Sequence, residues 1–307
     1  MATGEGLMPH PLYLDLTAPE LRARAEELRA LASPCRLCPR ACGAHRERGE
    51  RGFCRAGLAP WVASFGPHFG EEEVLVGEGG SGTIFFSGCN LRCLFCQNYA
   101  ISQLGEGEEI GVDDLARIML RLQAAGCANV NLVTPTHQAP QIVAALAVAR
   151  EEGLRLPLVW NCGGYESLDA LRILERIVDI YLPDVKYGAS EVAASLSAAP
   201  GYFEIAQDAL REMHRQVGDL IVRDGIAVRG LLVRHLVLPD GLAGSEAVLE
   251  FIARHISPDT FVNVMAQYRP AHRARERPEL TRRPTAAEQE HVLAIARRLG
   301  LRRAGPH

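Results

Sequence analysis

Six apolar, strand-like runs that alternate with amphipathic, helix-like runs predict an α/β fold built on a parallel sheet. The strand-like runs cover residues 83–86, 130–133, 158–161, 177–182, 230–238 and 261–266. The helix-like runs cover residues 113–125, 138–151, 167–176, 202–217, 245–255 and finally 286–299. A chain of 307 residues with 48% apolar content can build one large domain and a small appendage. The pattern leaves two architectures open, an open doubly wound sheet and an incomplete (β/α)6 barrel. In either one, the chemistry belongs at the C-terminal ends of the strands.

The elements outside this alternation are few. Residues 20–32 form a short amphipathic helix with Leu21, Ala25, Leu28 and Leu31 on one face, stopped by Pro34. Residues 35–57 are rich in Gly, Arg and Cys, too short and polar for a core of their own. Residues 269–283, rich in Arg and Pro, read as an irregular surface connection. These features divide the chain into a metal-binding extension (1–75), a barrel (76–270) and a C-terminal connection with a helix (271–307).

Composition narrows the function. Net charge is −4, which argues against general nucleic-acid binding through phosphate neutralisation. No run of eighteen apolar residues suggests a membrane span, and Met1–Pro19 lacks the basic and apolar regions of a secretory signal. Seven of the nine Cys fall in two tight clusters, a pattern that suits metal ligation in a reducing cytoplasm better than disulfides.

Cys89, Cys93 and Cys96 form a C-x3-C-x2-C run directly after the first strand. Three thiolates at this spacing hold three irons of a [4Fe–4S] cube and leave the fourth iron open, whereas an electron-transfer cluster normally takes four Cys. The run, with Phe95 before its last Cys, resembles the signature of the radical S-adenosylmethionine (SAM) superfamily. The likeness spans roughly residues 35–270 and is similar to the pyruvate formate-lyase activating enzyme-like branch, in a subgroup with an extra N-terminal Cys cluster. The resemblance favours the partial (β/α)6 barrel. It implies a cluster that cleaves SAM to a 5′-deoxyadenosyl radical, and an electron donor such as flavodoxin or ferredoxin. The substrate is then a Gly on a partner protein, a small molecule or another side chain. A non-catalytic iron–sulfur carrier or metal-stabilised interaction protein is the alternative class.

Polar residues at the other strand ends are the candidates for the cofactor pocket. Relatives carry Gly-Gly-Glu after the second strand; this chain has Thr134-Pro135-Thr136-His137 instead. Thr134, Thr136 or a backbone carbonyl takes that role, and Thr136 also suits the N-cap of the following helix. Asn161 and Gly163 end the third strand, where Gly163-Gly164 serves either ligand approach or a tight turn. Asp184 and Lys186 lie on one side of the fourth strand end, matching an Asp-x-Lys of activating-enzyme relatives. Lys186 is the only Lys in the chain, which sets it apart from the 32 Arg, although an exposed ion pair would contribute little. Arg234 sits in an apolar strand and requires a carboxylate, either that of SAM or Asp184. Gln267 and Tyr268 are candidates for the substrate side, while His137, His272, Cys127 and Cys162 read as structural.

Cys35, Cys38, Cys42 and Cys54 supply four thiols within twenty residues. Four ligands close a tetrahedral zinc site or complete an auxiliary iron–sulfur cluster, and either would tie down this coreless segment.

Overall fold

The computed structural model describes residues 10–307. The chain order is α1 (Ala18–Ala30), β1 (Trp61–His68), α2 (Glu73–Val76), β2 (Ser81–Phe86), β3 (Glu108–Glu109), α3 (Val112–Ala124) and β4 (Val130–Val133). It continues with α4 (Ala139–Glu151), β5 (Leu158–Cys162), α5 (Leu168–Ile173), β6 (Ile180–Pro183), α6 (Ser190–Ser197), α7 (Tyr202–Val217) and β7 (Ile221–Arg223). It ends with β8 (Ile226–Leu236), α8 (Ser245–His255), β9 (Phe261–Met265), α9 (Ala286–Arg298) and β10 (Arg303–Gly305).

The strands form one sheet in the order β10-β9-β8-β6-β5-β4-β2-β1-β3, with β7 hairpinned onto β8. From β2 through β10 the neighbours are parallel and joined by helical crossovers, the signature of repeated βαβ units. The six expected strands are the six consecutive central ones, so the fold is a mixed α/β partial barrel. Both ends extend past the expected boundaries. β1 pairs antiparallel with β2, and β10 adds a parallel strand on β9. The expected divisions after residues 75 and 270 therefore do not divide the sheet. The reading of Met1–Pro19 rests partly on residues 1–9, which lie outside the described residues. Among the described residues, no helix is long and apolar enough to cross a membrane.

Alternation sorts side chains onto two faces. Trp160, Tyr181, Leu231, Val233 and Val262 join the helices in the large outer core. Val159, Ile180, Leu182, Leu232 and Phe261 face the other way and form a separate apolar cluster with Leu75 of α2. That cluster is the floor of the concave side, and α2 is its plug. The outer helix α1 begins at a capping box: Glu20 N donates to Thr17 Oγ1 (3.3 Å) while Thr17 N donates to Glu20 Oε2 (2.6 Å). The segment before it is tied to the barrel by Asp179, which accepts from Leu12 N (2.7 Å) and from Leu158 N (2.9 Å).

Several expected elements shift. β8 begins at Ile226 because Asp224-Gly225, both at positive φ, turns it back on β7. β6 begins at Ile180 rather than 177. Residues 269–283 hold two short 3-10 turns and bury Ala274 and Leu280, so this connection packs against the barrel instead of running free over its surface.

Candidate active site

The concave face turns polar one step beyond its apolar floor. Counting by two from Val159, Leu182, Leu232 and Phe261 leads to Asn161, Asp184, Arg234 and Asn263, and a further step beyond Asp184 leads to Lys186. Asp184 is the hub of this layer. It accepts from Lys186 Nζ on Oδ2 (2.5 Å) and from Arg234 Nε on Oδ1 (2.7 Å). The Arg234 fork also donates to Asn161 Oδ1 (2.6 Å) and to Glu71 Oε2 (3.2 Å). Burial pushes the Asp184 carboxyl up, but Arg234 and then Lys186 outweigh it and hold it down at about 2. Burial pulls the Lys186 ammonium down, and Asp184 followed by Cys93 outweighs that effect, so Lys186 stays charged. The pair is therefore a partly buried, fully ionised device rather than an exposed ion pair.

Glu71 and Glu72 were not legible as site residues. The acidic triplet Glu71–Glu73 runs into the start of α2 with no distinguishing pattern, yet its first two members lie against Arg234 and Asn263. Burial raises the Glu71 carboxyl, with Arg234 opposing. Glu72 accepts from Asn263 Nδ2 (2.8 Å).

The cysteine loop follows β2 and is fastened from several sides. Arg92 N donates to Ser197 O (2.9 Å), Leu94 N to Leu196 O (2.8 Å) and Asn90 Nδ2 to Tyr165 O (2.7 Å). Phe95 is buried edge-on against Tyr268 and Tyr187, which makes Tyr268 a wall of this loop. Gln267 is exposed. Each thiol has one polar hydrogen near it: Leu91 N lies 3.3 Å from Cys89 Sγ, Ser197 Oγ 3.0 Å from Cys93 Sγ and Ser102 Oγ 3.2 Å from Cys96 Sγ. Burial followed by the neighbouring Cys93 pushes the Cys89 thiol up to about 12, and burial likewise raises Cys93. Such thiols give up their protons to a metal rather than to water. Three soft donors, each with a hydrogen-bond donor, beside one ammonium suit an iron–sulfur cluster.

The remaining strand ends are placed as follows. Thr134 adopts φ +60, a strained conformation for a β-branched residue, while its N–H donates to Asn161 O (2.8 Å). The expectation that Thr136 caps α4 is corrected: its hydroxyl donates to buried Glu166 Oε1 (2.6 Å), and the cap position is Gln138 with no side-chain bond. Burial raises Glu166 to about 7. Gly163 and Gly164 are explained by close packing, since a Cβ would meet the Leu91 side chain at 2.8 Å or Asp184 O at 2.6 Å. His137 is buried with Nε2 2.7 Å from Ser87 O, and His272 stacks on Tyr99. Cys127 and Cys162 are buried single thiols.

The second cysteine group lies beside this loop. Arg46, 4% exposed, places Nη2 at 3.3 Å from Cys35 Sγ and 3.5 Å from Cys54 Sγ, while Nη1 donates to His137 O (2.8 Å). Burial raises Cys38 to about 12, with Cys54 and Cys35 adding to the shift. Gly88, one residue before Cys89, touches the Cys54 carbonyl so closely that a Cβ would sit 2.3 Å from it. Among the described residues, no three His, Cys, Asp or Glu side chains converge on a single-ion position. A four-iron cube spaces its thiolates more widely, with one at each iron corner.

A half-open parallel barrel with a three-cysteine loop at its first strand end and an ionised polar layer at the others defines a cluster-dependent, cofactor-binding enzyme. The radical SAM superfamily model matches residues 83–228, and the chain belongs to that superfamily. It is 34% identical over 291 residues to the uncharacterized protein MJ0674 of Methanocaldococcus jannaschii, covering 92% of this chain and 79% of that one. A second uncharacterized protein of that organism, MJ0808, is 27% identical over 178 residues, half of each chain. The solved structure of the FeFe-hydrogenase maturase HydG from Carboxydothermus hydrogenoformans superposes at a TM-score of 0.46 with 12% identity, over 71% of this chain and 50% of that one. A superposition that loose carries no argument about function.

Proposed function

We propose that this radical SAM enzyme binds SAM across the polar layer and uses the resulting radical to abstract hydrogen from a substrate. When bound, the [4Fe–4S] cluster and SAM supply a one-electron cleavage to methionine and a 5′-deoxyadenosyl radical. Cys89, Cys93 and Cys96 hold the cluster. Arg234 and Lys186 orient the carboxylate of the cofactor, Asp184 keeps both cations in place, and Asn161 and Thr134 supply polar contacts at the neighbouring strand ends. The observation that carries this reading is the ionised Asp184–Lys186–Arg234 triad on the concave face, electrostatically coupled to Cys93. A fixed set of charges in a largely dry site positions a charged ligand without reorganising.

The activating-enzyme resemblance makes the substrate a Gly of a partner protein, and a small molecule is the other class. The second cysteine group holds a metal centre, an auxiliary [4Fe–4S] cluster ahead of zinc, which ties residues 35–54 to the barrel. Anaerobic reconstitution of a Cys89/Cys93/Cys96→Ala variant tests that centre: bound iron supports it, and zinc without iron contradicts the iron–sulfur assignment. For the activity, reduced holoprotein incubated with SAM is expected to release 5′-deoxyadenosine. Cofactor recovered unchanged would overturn the reading in favour of a non-catalytic carrier.

A further inference from the structure

The two charged positions that end β6 stand where the sheet gives them little support. Between β6 and β8 the ladder pairs Ile180 with Gly230 and Tyr181 with Leu231, and it resumes only as a single bridge between Asp184 and Arg234. Pro183 lies in the gap and has no N–H to offer. Beyond it, Asp184 N donates to Cys162 O (2.8 Å) and Val185 N to Arg234 O (2.8 Å). The N–H of Lys186 has no main-chain acceptor among the described residues. Side chains from α7 and β8 supply the remaining bonds, and neither belongs to the polar layer.

Tyr202, the first residue of α7, is fully buried in the outer core. Its hydroxyl accepts from Lys186 N (2.9 Å) and lies 2.8 Å from both Gly163 O and Asp184 O. The single hydroxyl hydrogen is shared by those two carbonyls, so one oxygen joins the turn after β5 to both charged positions. The ring is held by Tyr165, stacked at 6.1 Å, and by Tyr187, edge-on at 5.6 Å. The Tyr165 carbonyl accepts from Asn90 Nδ2 of the cysteine loop, so the same stack sets Lys186 against that loop. His235 alternates with Arg234 on β8 and faces the outer side, fully buried. Its Nδ1 lies 2.7 Å from Val185 O and its Nε2 2.8 Å from Ser245 Oγ. Burial pulls the ring down to about 4 against the opposing Val185 carbonyl, which keeps it neutral. A carbonyl only accepts, so Nδ1 carries the hydrogen and Nε2 accepts from the Ser245 hydroxyl.

We propose that Tyr202 and His235 are positioning residues for SAM cleavage, holding the Asp184-Val185-Lys186 backbone from behind so that the Lys186 ammonium meets the cofactor. The proposal rests on the reading that Lys186, kept in place by Asp184, orients SAM. Tyr202 pins the two charged residues and His235 the one between them, and neither touches ligand. Buried tyrosines elsewhere make a single bond, as Tyr13 does to Leu156 O (3.0 Å) and Tyr268 to Leu280 O (2.7 Å). Tyr202 meets three backbone groups at two strand ends. Its loss registers in the rate because a displacement of about 1 Å at a reacting centre costs on the order of 10²-fold.

The test measures 5′-deoxyadenosine release by reduced, anaerobic holoprotein. Tyr202→Phe keeps the ring and is expected to slow release about ten-fold with unchanged iron content. Tyr13→Phe, which removes an equally buried hydroxyl before β5, is expected to leave the rate unchanged; an equal fall there would reduce the effect to general loss of stability and overturn the proposal. His235→Leu is expected to slow release as Tyr202→Phe does, and His235→Asn, which returns an N–H to Val185 O, to recover most of the rate. In a Lys186→Met background Tyr202→Phe is expected to add nothing, because it acts through the residue already lost. A wild-type rate in Tyr202→Phe, an additive loss in the Lys186→Met background, or equal rates in the two His235 variants would each overturn the proposal. If Tyr202→Phe does not fold, the His235 pair decides alone. A Lys186→Met variant that releases 5′-deoxyadenosine at the wild-type rate would instead contradict the cofactor reading, and the positioning proposal would fail with it.

Discussion

Asp184 serves two cations at once, and that arrangement sets what substitution should do. Asp184→Asn removes the charge that keeps Lys186 and Arg234 together in a partly buried layer, and a ligand misplaced by about 1 Å costs on the order of 10²-fold in rate. We therefore expect Asp184→Asn and Lys186→Met each to lower 5′-deoxyadenosine formation by about 10²-fold, while the iron content stays that of the wild type. Arg does not replace Lys186 well, because a planar fork on a longer stem does not fit where a compact ammonium reaches one carboxylate oxygen. Arg234→Met leaves Asp184 and Glu71 without their shared cation and should cost about 3–5 kcal/mol in denaturant unfolding of the apoprotein. Asp184, Lys186 and Arg234 were visible in sequence because each broke a local rule: a lone Lys, a period-two acid and base, and a charge in an apolar strand. Glu71, Glu72 and Glu166 broke none. Their burial depends on distant segments meeting them, and composition cannot reveal that.

At the level of elements, the central strands and the longer helices were legible because each buries one face and repeats at its own period. β1 was not, since Gly66-Pro67 interrupts its alternation and its only strong partner is β2. The four-residue α2 was equally hidden, yet it closes the concave floor. Leu75 is fully buried there, and Leu75→Ala should cost about 2–5 kcal/mol in a urea melt. The N-terminal segment before α1 is tied down by Asp179. Burial raises this carboxyl from its ordinary 3.8 to about 7, outweighing the two N–H donors that oppose the shift. The folded chain therefore holds this proton more tightly than the unfolded chain does. The contribution of Asp179 is complete below about pH 4 and is lost as pH rises through about 7. Asp179→Asn stays neutral, so between about pH 5 and about pH 8 the unfolding free energy of the variant should improve relative to the wild type. A difference that is constant across that range would show that the carboxyl is already ionised in the native state.

For the whole molecule, the central relation is between two cysteine groups and one barrel. The four-cysteine segment has little apolar surface of its own, and Leu37 and Cys54 are buried only because it sits on the barrel top. On the proposed metal assignment for Cys35, Cys38, Cys42 and Cys54, a chelator should open residues 35–57 to trypsin while the barrel resists, and equal resistance with and without chelator would contradict that assignment. The partial-barrel architecture was legible once the strand pattern and the Cys89–Cys96 run were read together. The contact of Cys54 with Gly88 was not, because it joins segments more than thirty residues apart. The measurement closest to the central claim is EPR with isotopically labelled SAM on reduced, anaerobically reconstituted protein. Hyperfine coupling from the labelled amino and carboxylate groups to the cluster is predicted, placing SAM on the iron that no cysteine holds. A cluster signal that ignores the label, with every iron already held by the chain, would contradict the account.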